Sequence, residues 1–302
     1  MKILVTGGRG FLGKSLVPIV CKKFGEENVF VPSSAELDLL DREAVEKYMK
    51  ENQFDTVIHM AARMSGIGEL MRYPQKYLEE NLEINYNTVK GALNSGVKKF
   101  VTLGSSCGYN NDTPLPMREE YFWHLKPENT YGLCKLVMLE HLMSQKQMQW
   151  VYLVPGNLYG PYDHFGDEHA HLIPATVTKF LNAKETGAKS INVWGDGSQI
   201  RDFILVSDAA KIIADSIDNE RFYGKPVNIS ANSGVSVKTI VETIREILGL
   251  EHIEIEWDIT KPTGIMKKIL ANDVMVSIIG ENYLTPIKEG LTKTINWYLN
   301  SI

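Results

Sequence analysis

Cysteine is scarce in this chain: Cys21, Cys107 and Cys134 are the three among 302 residues, and none stands in a CxxC or Cys/His arrangement. So small and odd a set excludes a disulfide framework and offers no zinc site, so no metal is expected. Also missing is any run of about 18 apolar residues, which leaves nothing to span a membrane. The opening MKILVTGG reaches glycine too early to be a signal-peptide core, so a soluble, cytoplasmic protein is expected. Without a secretory signal, the Asn111-Asp-Thr113 sequon carries no weight. No Lys/Arg block occurs and the formal net charge is -5, which argues against a partner bound through nucleic-acid phosphates. There is no internal repeat, low-complexity tract or linker. What remains is ordinary globular composition, 44% hydrophobic and 23% charged, enough for a large core.

The apolar residues come in short continuous runs, KILVTG (Lys2 to Gly7), TVIHMAA (Thr56 to Ala62) and KFVTLGSS (Lys99 to Ser106), with helical patterns between them. Continuous rather than alternating runs are the mark of parallel strands covered on both faces. NVFVPS (Asn28 to Ser33), WVYLVPG (Trp150 to Gly156) and INVWG (Ile191 to Gly195) are further strand candidates. The expected fold is α/β: a doubly wound, Rossmann-like parallel sheet with a smaller mixed α/β cap. Residues 1–160 are expected to bind a dinucleotide and 161–302 mainly a substrate, with a segment around 190–215 returning to the first part. Helices are expected over VKTIVETIREILG (Val237 to Gly249) and from Lys288 to Leu299.

The first strand runs straight into GGRGFLG, with Gly7, Gly10 and Gly13 spaced GxxGxxG ahead of the helical KSLVPIVCKKF. Glycines permit a tight turn and let backbone approach a pyrophosphate at a helix start, where unpaired N–H groups favour anions. Arg9, Phe11 and Leu12 in this loop, with Ala61 and Ala62 after the third strand, complete the candidate cofactor contacts. An acid after the second strand would suit the free ribose hydroxyl of NAD, and an arginine the 2′-phosphate of NADP. Val31-Pro-Ser-Ser-Ala35 supplies neither. Arg9 can reach a 2′-phosphate and the serines can donate to it, so NADPH is favoured, with NADH as the alternative.

Tyr131 and Lys135 stand four apart at the start of a helical segment and share a face, so the ammonium is expected to lower the phenol's pKa and bind the nicotinamide ribose. The spacing alone is weak, since Tyr86 and Lys90 repeat it in an ordinary solvated helix. Ser105 makes the difference: it ends a buried strand 26 residues before Tyr131 and can bond the same substrate oxygen. Cys107, two residues further on, can face the same cleft, although a free cysteine is more often a buried small hydrophobe.

The glycine loop with Ser105, Tyr131 and Lys135 resembles the extended short-chain dehydrogenase/reductase family, whose members act on nucleotide sugars. GSSC, NLYGPYDHFGDEHAHLIPATVTKF, VWGDGSQIRDF and DITKPTGIMKK are similar to its GDP-L-fucose synthase branch. That resemblance implies reduction by NADPH of the C4 ketone of a GDP-linked 4-keto sugar, preceded in that branch by epimerisation at C3 and C5. By the same resemblance Tyr131 moves the proton on the 4-oxygen, while Cys107 and His171 exchange protons with the ring. A 4-ketone acidifies those ring hydrogens, and cysteine and histidine can both transfer protons near neutral pH. His164 and His169 share the loop, but the HLIP motif selects His171. Lys179, Arg201, Lys267 and Lys268 are the implied phosphate contacts, and Asn157 and Trp194 line the implied substrate pocket. A homodimer through the helices at Asn81 to Asn94 and Tyr131 to Ser144 is implied as well.

The chain also departs from that branch. Ser34 replaces an arginine after the second strand, Ile265-Met-Lys-Lys268 replaces TPRK, Asn110 replaces a proline, and Lys179 replaces an arginine. Lysine lacks arginine's bidentate fork. A different sugar, another 6-deoxyhexose or a heptose, is compatible with these changes. The rival readings are a C4 reductase without epimerase activity, a 4-epimerase or dehydratase that recycles NAD, and a nucleotide-sensing binding protein.

Overall fold

The continuous apolar runs form strands with both faces covered, as at β1 (Ile3–Thr6) and β3 (Thr56–His59), where every residue is buried. A computed structural model describes residues 1–64, 72–124, 126–127, 129–166, 170–261, 264–280 and 284–301. The central sheet adds β2 (Val29–Phe30), β4 (Lys99–Leu103), β5 (Gln149–Pro155) and β9 (Pro226–Ile229), in the order β2-β1-β3-β4-β5-β9. All of its pairs are parallel. β1 lies between β2 and β3, so the strand order reverses there and the sheet opens a crevice at the ends of β1 and β3.

Helices cover both faces. On one side α1 (Phe11–Phe24) packs Leu16 and Val20 into a core shared with Ile213 and Ile217, at the end of the helix Val206–Ser216. On the other, α2 (Arg42–Asn52), α3 (Pro74–Asn94) and α4 (Thr130–Ser144) contribute Val45, Val89 and Leu139 to a second core. The helix carrying Tyr131 is held in part by its cap: the Asn129 side chain accepts from the Gly132 N–H at 2.8 Å.

Beyond the sheet lie β6 (Asn157–Tyr159), α5 (Leu172–Thr186), β7 (Ser190–Trp194), β8 (Ile200–Leu205) and α6 (Val206–Ser216). β10 (Gly234–Ser236), α7 (Val237–Leu248), β11 (Glu254–Asp258), β12 (Lys267–Lys268), α8 (Asp273–Ile279) and α9 (Ile287–Leu299) complete the described elements. β8 pairs with β6, β10 and β12, and β7 pairs only with β11 among the described strands. Val177, Phe180, Val241, Ile244, Leu291 and Ile295 form a third core under these smaller sheets. The INVWG run therefore becomes a strand outside the central sheet, where one face is wet and alternate residues are exposed.

Candidate active site

Where β1 ends, the backbone turns at Gly7 with φ 72°, a conformation that favours glycine. A Cβ there would lie 2.7 Å from the Ala61 backbone nitrogen, and one at Gly13 would lie 2.4 Å from Gly8, so neither position has room for a side chain. Gly10 starts α1 without a side-chain cap, and the first turn holds no acid. The helix start therefore offers N–H groups and a positive dipole end to an anion. A cleft of about 1000 Å³ runs from this loop, past Arg9, Phe11, Leu12, Ala61 and Ala62, to Ser33 at one end and Tyr131 at the other. Close backbone, an uncapped helix start and an elongated cleft together fit a dinucleotide.

At the Tyr131 end the cleft continues into a second one of about 460 Å³. Ser105, Cys107, Tyr131, Lys135, Asn157, His171, Trp194 and Arg201 all line it, so the structure brings together in three dimensions residues spread over nearly a hundred positions. A short turn (Ser106–Gly108) follows β4, and the Cys107 N–H donates to Ser105 Oγ at 3.1 Å. Against that turn sits α4. A Cβ on Gly132 would fall 1.9 Å from the Cys107 carbonyl oxygen, so glycine beside Tyr131 is what lets α4 pack this close to the turn. Lys135 Nζ stands 5.6 Å from the centre of the Tyr131 ring, and the Tyr152 hydroxyl donates to the Lys135 carbonyl at 2.9 Å.

Burial governs the electrostatics here. It lowers Lys135 to about 8 against a weaker upward effect of Cys134. It also pushes the Tyr131 phenol well above its ordinary value, with Cys107 and Cys134 adding to the rise. The expected lowering of the phenol by Lys135 does not govern this site: burial does, and Tyr131 holds its proton at neutral pH. Within the electrostatic reach of Lys135, buried His59 bonds Thr6 Oγ1 at 2.7 Å and Asn85 Oδ1 at 3.1 Å. Burial, then Lys135, lowers its pKa to about 3, so it stays a neutral link between β1, β3 and α3.

His171 stands at the N-cap of α5. Its Nδ1 lies 3.1 Å from Oδ1 of Asp163, whose side chain is 3% exposed. That hydrogen bond raises the histidine's pKa despite an opposing effect of burial. Bonding at Nδ1 leaves Nε2 as the nitrogen available to the cleft. Asp163 is a functional residue that the sequence alone does not reveal. Its signal there is an acid eight residues before the histidine in an Asp/His-rich loop. His164 lines the larger cleft, and His169 lies outside the described residues.

The remaining basic candidates separate. Arg201 faces the second cleft, but Lys179 lines neither: its Nζ donates to the Asn192 carbonyl at 2.8 Å and ties α5 to β7. Lys267 and Lys268 form β12 beside Ile200 and Arg201 and also line neither cleft. At the far end, Arg9 meets Glu36, the acid one residue past Val31-Pro-Ser-Ser-Ala35. Among the described residues, no group of three or more His, Cys, Asp or Glu side chains could hold a metal ion, and no helix is long and apolar enough to cross a membrane.

The model of the NAD dependent epimerase/dehydratase family matches residues 3–230, most of the chain. The chain belongs to the NAD dependent epimerase/dehydratase family. Within it, the chain is 33% identical to GDP-L-fucose synthase 1 of Arabidopsis thaliana, over 100% of this chain and 94% of that one. It is 31% identical to GDP-L-colitose synthase of Yersinia pseudotuberculosis, over 99% and 98% of the two chains. The fold is shared with a GDP-6-OMe-4-keto-L-xylo-heptose reductase from C. jejuni, with a TM-score of 0.90, 24% identity and coverage of 100% and 98%. The chain is thus a nucleotide-sugar oxidoreductase or epimerase, with the expected doubly wound α/β architecture.

Proposed function

We propose that this enzyme reduces the C4 ketone of a GDP-linked 4-keto sugar with NADPH, and that Cys107 and His171 epimerise the ring before reduction. The observation that carries this reading is the meeting of Ser105, Tyr131 and Lys135 with Cys107 and His171 where the two clefts join. GDP is common to the names of all three relatives, whereas the sugar differs between them. Of the departures from that branch, Ser34 lines the larger cleft beside Ser33 and none lines the smaller one, so they leave the sugar as a 6-deoxyhexose or a heptose.

Each residue has a chemical task in this reading. NADPH, held by the glycine loop, supplies the hydride. Tyr131 gives its phenolic proton to the 4-oxygen, for which a phenol kept protonated by burial is suited. Ser105 Oγ accepts from the Cys107 N–H, which leaves its own hydrogen to donate to that same oxygen. Lys135, positively charged below about 8, stabilises the developing alkoxide and restores the proton. Cys107 and His171 remove and return protons at the carbons next to the ketone, and Arg201 takes a phosphate.

We divide the labour along the chain as residues 1–160 for the dinucleotide and 161–302 mainly for the sugar, with α6 returning to pack on α1. The reading includes a cytoplasmic homodimer joined through α3 and α4, supported by the exposed Tyr86, Val137 and Met143 on those helices.

The test is turnover of GDP-4-keto-6-deoxy-D-mannose with NADPH in D2O, followed by NMR of the product. We expect NADPH oxidation with deuterium at C3 and C5. Oxidation without ring deuterium would remove the epimerase step and leave a C4 reductase. Failure to oxidise NADPH with this and a heptose analogue would overturn the reading as a whole.

A further inference from the structure

The adenosine end of the large cleft contains a ready-made anion cradle, and the protein's own carboxylate sits in it. Three donors converge on a single oxygen, Oε2 of Glu36: the Ser33 N–H at 2.7 Å, the Ser33 hydroxyl at 2.7 Å and Nη2 of Arg9 at 2.9 Å. Arg9 and Ser33 both line the cleft. Arg9 is further steadied by donating from Nε to the Val31 carbonyl at 3.2 Å, and Val31 packs beside Gly8 of the glycine loop. The cradle is therefore joined directly to the part of the cleft that suits a pyrophosphate.

A backbone N–H, a hydroxyl and a guanidinium are the donors a ribose phosphate needs. We infer that Glu36 is a specificity-determining residue that competes with the 2′-phosphate of NADPH for Arg9 and Ser33. The inference rests on the dinucleotide reading of the cleft. NADPH gains these three donors only by displacing the carboxylate, whereas NADH carries no phosphate to compete and leaves Glu36 in place. The competitor is easily moved, because both side chains of the ion pair are about 60% exposed, at 61% and 59%, and exposed pairs hold weakly. Glu36 thus narrows the preference for NADPH over NADH and keeps both usable.

Calorimetric titration of the purified protein with NADPH and with NADH, without sugar, tests this directly. Glu36→Gln should tighten NADPH roughly three- to tenfold and change NADH less than about twofold. The gain should shrink in high salt, where exposed charges are screened. In the Arg9→Gln background, Glu36→Gln should lose most of its effect on NADPH, since the shared cation is gone. Weaker binding of both nucleotides by Glu36→Gln would overturn the inference and make the carboxylate a brace for the loop. Weaker NADH binding alone would also overturn it, because Glu36 would then hold the 2′-hydroxyl. If the unaltered protein binds neither nucleotide, the dinucleotide reading itself fails, a result distinct from normal binding that Glu36→Gln leaves unchanged.

Discussion

The two ends of the large cleft handle charge in opposite ways. At the Tyr131 end the groups are packed against the central sheet, and burial sets their protonation: Lys135 falls to about 8 and the phenol rises. At the Arg9 end the ion pair stands in water, and hydrogen bonds from Ser33, then Arg9, hold the Glu36 carboxyl below its usual range. One end is preorganised for chemistry and cannot rearrange cheaply. The other is loose enough to exchange one anion for another.

The sharpest way to break the comparison is at the buried end. Tyr131→Phe removes the proton donor while keeping the ring that packs beside Gly132, and kcat should fall by roughly 10²- to 10⁴-fold. Nucleotide affinity measured by titration should hardly move. A comparable loss of affinity would mean that the phenol serves binding rather than proton transfer.

Next comes Asp163→Asn, which acts through His171. The carboxylate raises the histidine's pKa, so its removal lets His171 lose its proton at a lower pH. Deuterium incorporation at the ring carbons should drop about 10- to 100-fold, and its alkaline limb should move to lower pH, with ketone reduction of a pre-epimerised substrate largely spared. An unchanged pH profile would reduce Asp163 to a structural brace.

A milder effect belongs to the unaltered protein. Since burial depresses Lys135 to about 8, the ammonium is present below that pH and is lost as pH rises through it. The reduction rate should therefore fall above about pH 8, and Lys135→Arg, whose charge persists, should shift that limb upward in a kcat against pH series. A flat profile to pH 9.5 would show that the lysine's charge is not required. Smallest of all is the effect at the exposed end, the few-fold change in NADPH affinity for Glu36→Gln, and its dependence on salt would mark it apart from the buried positions.

Much of this was legible in the chain because strands covered on both faces must read as unbroken apolar runs. β1, β3, β4 and β5 appear where those runs occur, and the loop at Gly7 appears where a strand meets glycines. Tyr131 and Lys135 were legible because four residues make about one helical turn. Less legible were the partners. Nothing in a one-dimensional pattern couples Asp163 to His171 or Arg9 to Glu36, and Lys179 carries the same charge whether it faces a phosphate or the Asn192 carbonyl.

The amino-acid sequence by itself determined the alternation of strand and helix, the phosphate-approaching turn and the residue types able to move a proton or bind a phosphate. Those depend on local periodicity and on the chemistry each side chain carries everywhere. Only the tertiary structure decided which acid steadies which base, that Tyr131 keeps its proton while Lys135 gives its own up more readily, and that Glu36 already holds the donors meant for an anion. Burial and contact between residues far apart in the chain come from packing, and the free energy of a charge depends on what surrounds it.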